Sequence, residues 1–463
     1  MRGKLQGKKK LLICMVVIAA VAAVVAIAGC APKANPGTTP TPTATSPSTV
    51  PAVTANGTIY GESWANEYPN QVRTWQENDN NKWVTKDSNL DEIDKLRKYP
   101  EIKVLGLGYG YAKFYTEPGG HTYSLYTVTH QGRATAQTKT GCIACKSGEF
   151  NVDVVNEGDG IWQKNFWEYV SKYDDNITCN NCHENEDPSK LALTRGDWVR
   201  ALGPEIDKAT TSSETCGQCH CDYSMDPVSG KPTSPYDSLS DMTPEKALQW
   251  YDNNNYTDWT YASTGAKMLA VRHSEFEYNY GPDASHMAKL GYDCADCHMP
   301  VQVDSKGNAY TSHFWSSPLD NKELIKNDCS TCHKDLAAEV AEVQKRDDTR
   351  RHELGMRCAD FIHNFEDAIA AGTLTQDQIT QLQKIQRDAS FYWNSVAAEN
   401  SKGAHNDALY NSTMDKADQL LNQGDVILGK ASTVDGFNAW YAVNKDSIKS
   451  VLTDASLAPL NIT

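Results

Sequence analysis

Residues Gly141–Phe150 read GCIACKSGEF, two cysteines separated by two residues and followed directly by Lys146. The same spacing recurs four times, in CNNCH (Cys179, Cys182, His183), CGQCH (Cys216, Cys219, His220), CADCH (Cys294, Cys297, His298) and CSTCH (Cys329, Cys332, His333). Ten of the 14 cysteines thus fall in five pairs, and four pairs end in histidine. On a helical turn this spacing sets both thiols along one edge of a porphyrin, where they form thioethers with its vinyl groups while the next side chain reaches the iron. One such pair would suit half a zinc site, or disulfides of an exported chain, equally well. Four intact motifs and one variant point instead to five covalently bound haem c groups. Cofactors then replace much of the side-chain core, which predicts a mainly α multihaem cytochrome c with little β structure.

Each electron-transfer haem takes a second axial ligand. With His183, His220, His298 and His333 as proximal ligands, His121, His130, His273, His286, His313, His352, His363 and His405 remain. These are enough for four bis-histidine haems, although spacing alone does not choose among them. Lys146 differs in kind. An amine on iron must be neutral despite an ordinary pKa near ~10.4, so coordination and burial must together hold it deprotonated. It donates a σ lone pair without a π system, so its iron differs electronically from the others. One odd haem among four similar ones suggests one catalytic centre and four electron carriers; the alternative is a failed motif, its haem ligated by a distant histidine or by nothing.

The N-terminus carries Arg2, Lys4, Lys8, Lys9 and Lys10 before an apolar run from Leu11 to Ala28, the layout of an export signal over residues 1–29. The run ends in Ile27, Ala28, Gly29 and Cys30, resembling a lipobox in which Cys30 becomes the lipidated first residue of the mature protein. An uncleaved anchor is the alternative, the run being just long enough to span a bilayer. Either way the protein is extracytoplasmic and tethered to the membrane. Residues 30–58 are rich in Pro, Thr and Ala and read as a disordered tether. The formal charge of -15 becomes more negative once the five signal cations are removed, which argues against nucleic-acid binding and requires a locally positive entrance for any anionic substrate.

With its C-x-x-C-K and four C-x-x-C-H motifs, the chain resembles the pentahaem cytochrome c nitrite reductases, which form ammonia, from Tyr60 through the C-terminal helices. Further residues match that family. Arg133 follows His121 in PGGHTYSLYTVTHQGR, Tyr223 closes CGQCHCDY, and His273 lies in VRHSEFE. The resemblance implies that Lys146, Arg133, Tyr223 and His273 form the catalytic site. It also assigns distal ligands: His313 to the second haem in chain order, His121 to the third, His405 to the fourth and His286 to the fifth. His130, His352 and His363 stay structural or on the surface, and Cys221 and Cys358 remain packing thiols.

Relatives that hold calcium beside the active site take ligands from C-x-x-C-H-x-E-Y and K-x-Q-H, where this chain has Asp222 and AVRH, Ala270 to His273. Arg272 stands where the glutamine ligand would be. A guanidinium cannot coordinate a cation but can replace its charge, so calcium is expected to be absent, as in the calcium-independent branch of the family. The alternative is an Arg272 turned to solvent beside a shifted ligand set that still holds the metal.

Nitrite nitrogen passes from +3 to -3 on becoming ammonia, a six-electron reduction. In the site implied by the resemblance, Arg133 and His273 supply positive charge and hydrogen bonds to nitrite, with His273 the better proton donor because imidazole titrates near neutral pH. Tyr223 orients bound species. The family also accepts hydroxylamine, nitric oxide and sulfite, and usually draws electrons from a membrane-bound multihaem quinol dehydrogenase. A tethered electron-transfer cytochrome with no substrate site, or a related hydroxylamine or sulfite reductase, are the competing functions.

Residues 59–335 read as the pentahaem catalytic domain and 336–463 as a helical region. There Leu354, Cys358, Phe361, Ile362, Phe365 and Ile369 form one amphipathic face that Gly372 ends, and Thr375 with Gln378 opens a second long helix to about Asn400. In the family a long C-terminal helix forms the homodimer contact, so a homodimer is expected.

Overall fold

The computed structural model describes residues 53–80, 94–116, 120–131, 133–206 and 211–445; the signal, Cys30 and most of the tether lie outside them. Among the described residues no helix is long and apolar enough to cross a membrane.

Among the described residues, the C-terminal region holds four helices: α1 (Leu336–Ala370), α2 (Gln376–Ala398), α3 (Asp407–Leu428) and α4 (Val434–Asn444). Local chemistry sets their ends. The Asp335 side chain accepts from the Ala338 N–H at the start of α1, and Gly372, at φ 64°, follows its last turn. Thr375 and Gln378 form the expected reciprocal capping box on α2. The predicted face of α1 is the packed one: Leu354, Cys358, Phe361, Ile362 and Phe365 are all buried. At Gly424 of α3 the two helices touch, since a Cβ there would come within 2.4 Å of the Phe361 ring. Arg350 and Arg357 of α1 pair with Asp415 and Asp418 of α3 along the rim of this contact.

Among the described residues, the part carrying the cysteine motifs has short helices and three two-stranded antiparallel ribbons: β1 (Ser224–Met225) with β2 (Pro232–Thr233), β3 (Trp259–Thr260) with β4 (Lys267–Met268), and β5 (Val301–Val303) with β6 (Ala309–Thr311). A small apolar cluster seats the first motif: Ile143 and Ala144, the residues between its cysteines, are buried with Phe150, Ile161 and Phe166. Helix α2 joins the two parts. The Asn394 side chain accepts from the Val271 N–H at 2.7 Å, and the Ser274 hydroxyl donates to the Ser395 carbonyl at 2.8 Å. The segment that carries Arg272, His273 and Glu275 is thereby fastened to the longest helices of the chain.

The tether ends earlier than the composition suggests. Val53 is buried, the Thr54 N–H and carbonyl each hydrogen-bond the Asn185 side chain at 2.9 Å, and the Thr58 N–H reaches the Asn185 carbonyl at 2.9 Å. Residues 53–58 therefore belong to the folded body, because Asn185 satisfies backbone groups that a Pro/Thr-rich composition alone leaves to solvent.

Phe365 has no exposed surface and sits in the cluster that joins the long helices. Phe365→Ala should lower stability by about 3–5 kcal/mol, read from denaturant unfolding; a change below about 1 kcal/mol would contradict this packing.

Candidate functional site

Four of the five cysteine motifs line one cavity of about 2170 Å3, and His121, His286, His313 and His405 stand on its walls with the motif histidines. Three pairs of rings face each other across it. His183 and His313 have ring centres 6.0 Å apart, His121 and His220 6.2 Å, and His298 and His405 6.3 Å. Two imidazoles on opposite sides of one iron, each bound at about 2 Å with its ring centre about 1 Å further out, come to about 6 Å. The spacing fits haem iron in each case, and the pairs are the ones that the family resemblance implies. His286 and His333 share the cavity wall. The twelve described cysteines form no disulfide.

The motifs also touch one another. Cys145 of the first lies beside Cys219 of the third, and Cys216 of the third beside Cys294 of the fourth. Attachment points of neighbouring groups are therefore contiguous from the first motif through the third to the fourth.

Around the first motif the residues are cationic and aromatic. Arg133 lies over the Tyr111 ring at 4.7 Å and hydrogen-bonds Gln131. Gly110 makes room for it: a Cβ there would come 2.7 Å from the arginine side chain. Tyr223 is flanked by two guanidinium groups, Arg195 at 4.9 Å and Arg272 at 5.8 Å from its ring centre. Burial above all pushes its phenol well above the ordinary value, so it keeps its proton at neutral pH. His273 lies toward the third motif, its ring centre 5.4 Å from that of His220. Glu275 stands between the two, its Oε2 3.6 Å from His273 Nδ1 and 3.7 Å from His220 Nδ1, while Oε1 accepts from Asn400 at 2.5 Å.

Arg272 points inward. Its guanidinium meets both carboxylate oxygens of Asp258, at 2.5 and 3.3 Å, and donates to the Tyr109 hydroxyl at 2.8 Å and the Ala270 carbonyl at 2.5 Å. The Arg272 and Asp258 side chains are only 10% and 4% exposed. The Arg272 N–H reaches Asp222 Oδ1 at 3.3 Å, and Tyr251 donates to Asp222 Oδ2 at 3.0 Å. Burial pushes the Asp222 carboxyl up to about 7 against the pull of Arg272. The Asp222 N–H in turn donates to Glu277 Oε1, whose carboxyl burial raises to about 8. A backbone N–H and a phenol thus occupy the two carboxylate oxygens of Asp222, while the Arg272 guanidinium is taken up by Asp258, Tyr109 and Ala270.

Several residues of this site escape sequence reasoning. Arg195, buried, spans the first and third motifs through Cys145, Cys221 and the Gln218 carbonyl, and is fixed by Asp197. Asp258, Tyr109 and Tyr111 arrive from distant loops, and nothing in their spacing marks them. Glu275 had a local signal, two residues after His273 in VRHSEFE. His352 pairs with the buried Glu101 at 2.9 Å, and His363 with Glu366 at 3.1 Å. Cys221 and Cys358 are buried thiols.

Residues 61–457 match the cytochrome c552 family. Cytochrome c-552 of Bacteroides fragilis is 29% identical over 374 residues, covering 76% of this chain and 72% of the relative. The cytochrome c nitrite reductase subunit NrfA of Nitratidesulfovibrio vulgaris is 28% identical over 408 residues, covering 76% and 75%. Among solved structures, the catalytic subunit of cytochrome c nitrite reductase from Desulfovibrio desulfuricans, a protein with two calcium sites, superposes with a TM-score of 0.70 at 22% identity, over 82% of this chain and 88% of that one.

Removing the Arg272 charge leaves Asp258 buried without its partner, and breaking a buried pair costs about 3–5 kcal/mol. Arg272→Gln should therefore destabilise the protein by that order in denaturant unfolding followed at the haem absorbance; an unchanged midpoint would show that the pair contributes nothing.

Proposed function

The chain belongs to the cytochrome c552 family, and on that footing we propose that it reduces nitrite to ammonia at the haem attached through Cys142 and Cys145 and ligated by Lys146. His183/His313, His220/His121, His298/His405 and His333/His286 would hold four further haems, which would supply electron transfer. What supports this is a gathering of arginines, two of them paired with Asp197 and Asp258 and the third, Arg133, hydrogen-bonded to the neutral Gln131. In a chain of formal charge -15, Arg133, Arg195 and Arg272 gather around the one motif that ends in lysine. The two relatives and the solved structure include nitrite reductases by name.

When bound, haem c supplies electrons and an iron at which a small anion can sit. The chain's own residues then do the rest. Arg133 and Arg272 attract nitrite, and Arg133 holds developing negative charge on its oxygens. His273, braced by Glu275, donates protons as N–O bonds break. Tyr223 keeps its O–H and orients bound species from between Arg195 and Arg272. Arg272, paired with Asp258, stands in for calcium, so the enzyme works without that metal. The protein acts outside the cytoplasm as a homodimer tethered through lipidated Cys30, with a membrane-bound multihaem quinol dehydrogenase as donor.

Reducing the protein, adding nitrite, and following haem reoxidation together with ammonium tests this directly: six electrons should leave the haems for each ammonium formed. Reoxidation without ammonium would sink the proposal. His273→Asn should lower turnover by about 10²–10⁴-fold with all five haems attached, the usual range for a lost acid–base group; a full rate would remove its role. Lys146→His should keep the haem but depress nitrite reduction.

A further inference from the structure

Behind the histidines of the cavity, what faces Nδ1 differs from one ring to the next. His298 Nδ1 lies 2.9 Å from the Ser316 carbonyl, and His313 Nδ1 3.2 Å from the Thr311 carbonyl. These are neutral acceptors. His405 Nδ1 instead lies 2.7 Å from Glu399 Oε1, a carboxylate with no exposed surface. His333 also meets a carboxylate, Glu339 at 2.6 Å, but those two side chains are 38% and 47% exposed and solvent screens them.

The loop 399–405 is wrapped around the Glu399 carboxylate. Oε1 accepts the Ser401 N–H at 3.1 Å, while Oε2 accepts the Ser401 hydroxyl at 2.7 Å and the Gly403 N–H at 3.2 Å. The Ser401 hydroxyl oxygen then accepts the His405 main-chain N–H at 2.9 Å, tying the backbone of His405 to the residue that holds the carboxylate facing its ring. Two successive left-handed residues make this turn, Lys402 at φ 55° and Gly403 at φ 88°. Lysine is unfavourable there. Glycine is required at the second position, because a Cβ on Gly403 would come 2.2 Å from the buried Asp347 carboxylate. A segment that keeps one strained residue and excludes side chains at the next is shaped to hold one carboxylate behind one imidazole.

A buried anion that accepts the Nδ1 proton draws the imidazole toward imidazolate, making Nε2 a stronger donor and favouring ferric over ferrous iron. We infer that Glu399 is a positioning residue that lowers the potential of the haem carried by Cys294 and Cys297 between His298 and His405. The inference rests on the proposed ligation of that haem. The fourth motif adjoins the third, and the third adjoins the first, through their cysteines. A carrier of lowered potential held at the fourth motif would favour electron flow toward a haem held at Lys146.

Redox titration of the holoprotein, followed by absorbance and electron paramagnetic resonance, tests the inference. In Glu399→Gln one midpoint moves positive while the other four stay, with five haems attached. In Ser401→Ala, which strips a donor from the carboxylate and leaves its charge to the imidazole, the same midpoint moves negative. Five unmoved midpoints in either loaded variant overturn the inference. His405→Ala separates the two layers: loss of one low-spin signal there, with midpoints unmoved in Glu399→Gln, overturns the tuning alone. An unchanged low-spin count in His405→Ala removes the ligation and overturns both.

Discussion

Ring pairs held about 6 Å apart, centre to centre, impose the architecture on everything around them. Each pair joins a histidine of a short cysteine motif to one from a distant part of the chain: His183 to His313, His220 to His121, His298 to His405. Elements that must present such rings across a shared cavity cannot also fill it with side chains. This is why the described part before Leu336 has short helices and two-stranded ribbons, and why the helices longer than ten residues among the described residues all follow it. Those helices do more than close the fold. Through Asn394 and Ser395 they fasten the backbone that carries Arg272 and His273, and the loop after α2 delivers His405.

Charge is handled in the same way, locally and against the overall balance. An acidic chain that receives an anion needs cations that its surface does not supply. Arg133, Arg195 and Arg272 meet this need from inside, each fixed by a neutral or anionic neighbour: Gln131, Asp197 and Asp258. Because Arg272 is paired with Asp258, its charge is held in place, and its main-chain N–H reaches Asp222 as well. The same device with opposite sign recurs at Glu399, a buried anion fastened by backbone and hydroxyl donors behind a ring. In both places low dielectric surroundings make a single fixed charge count for more than many at the surface.

The cysteine motifs and the helix signals were legible because their chemistry is local. A C-x-x-C-H motif needs five consecutive residues, and the Thr375–Gln378 capping box and the face running from Leu354 to Phe365 need only a few helical turns. The end of the tether was misplaced for the complementary reason: residues 53–58 look like linker, and only the distant Asn185 makes them part of the body. Arg195, Asp258 and Glu399 were invisible on similar grounds, since each is an ordinary charged residue until its partner is known.

By itself the sequence determined where the five cysteine pairs lie and which one lacks the following histidine, since each motif consists of residues adjacent in the chain. It also determined where the first long helix stops and where the second begins. Which histidine faces which, whether Arg272 turns inward, and what stands behind His405 were decided by tertiary structure alone. Those relations join residues up to more than a hundred positions apart, and the free energy of burying a charge or a ring depends on what the fold brings against it rather than on the residue's own identity.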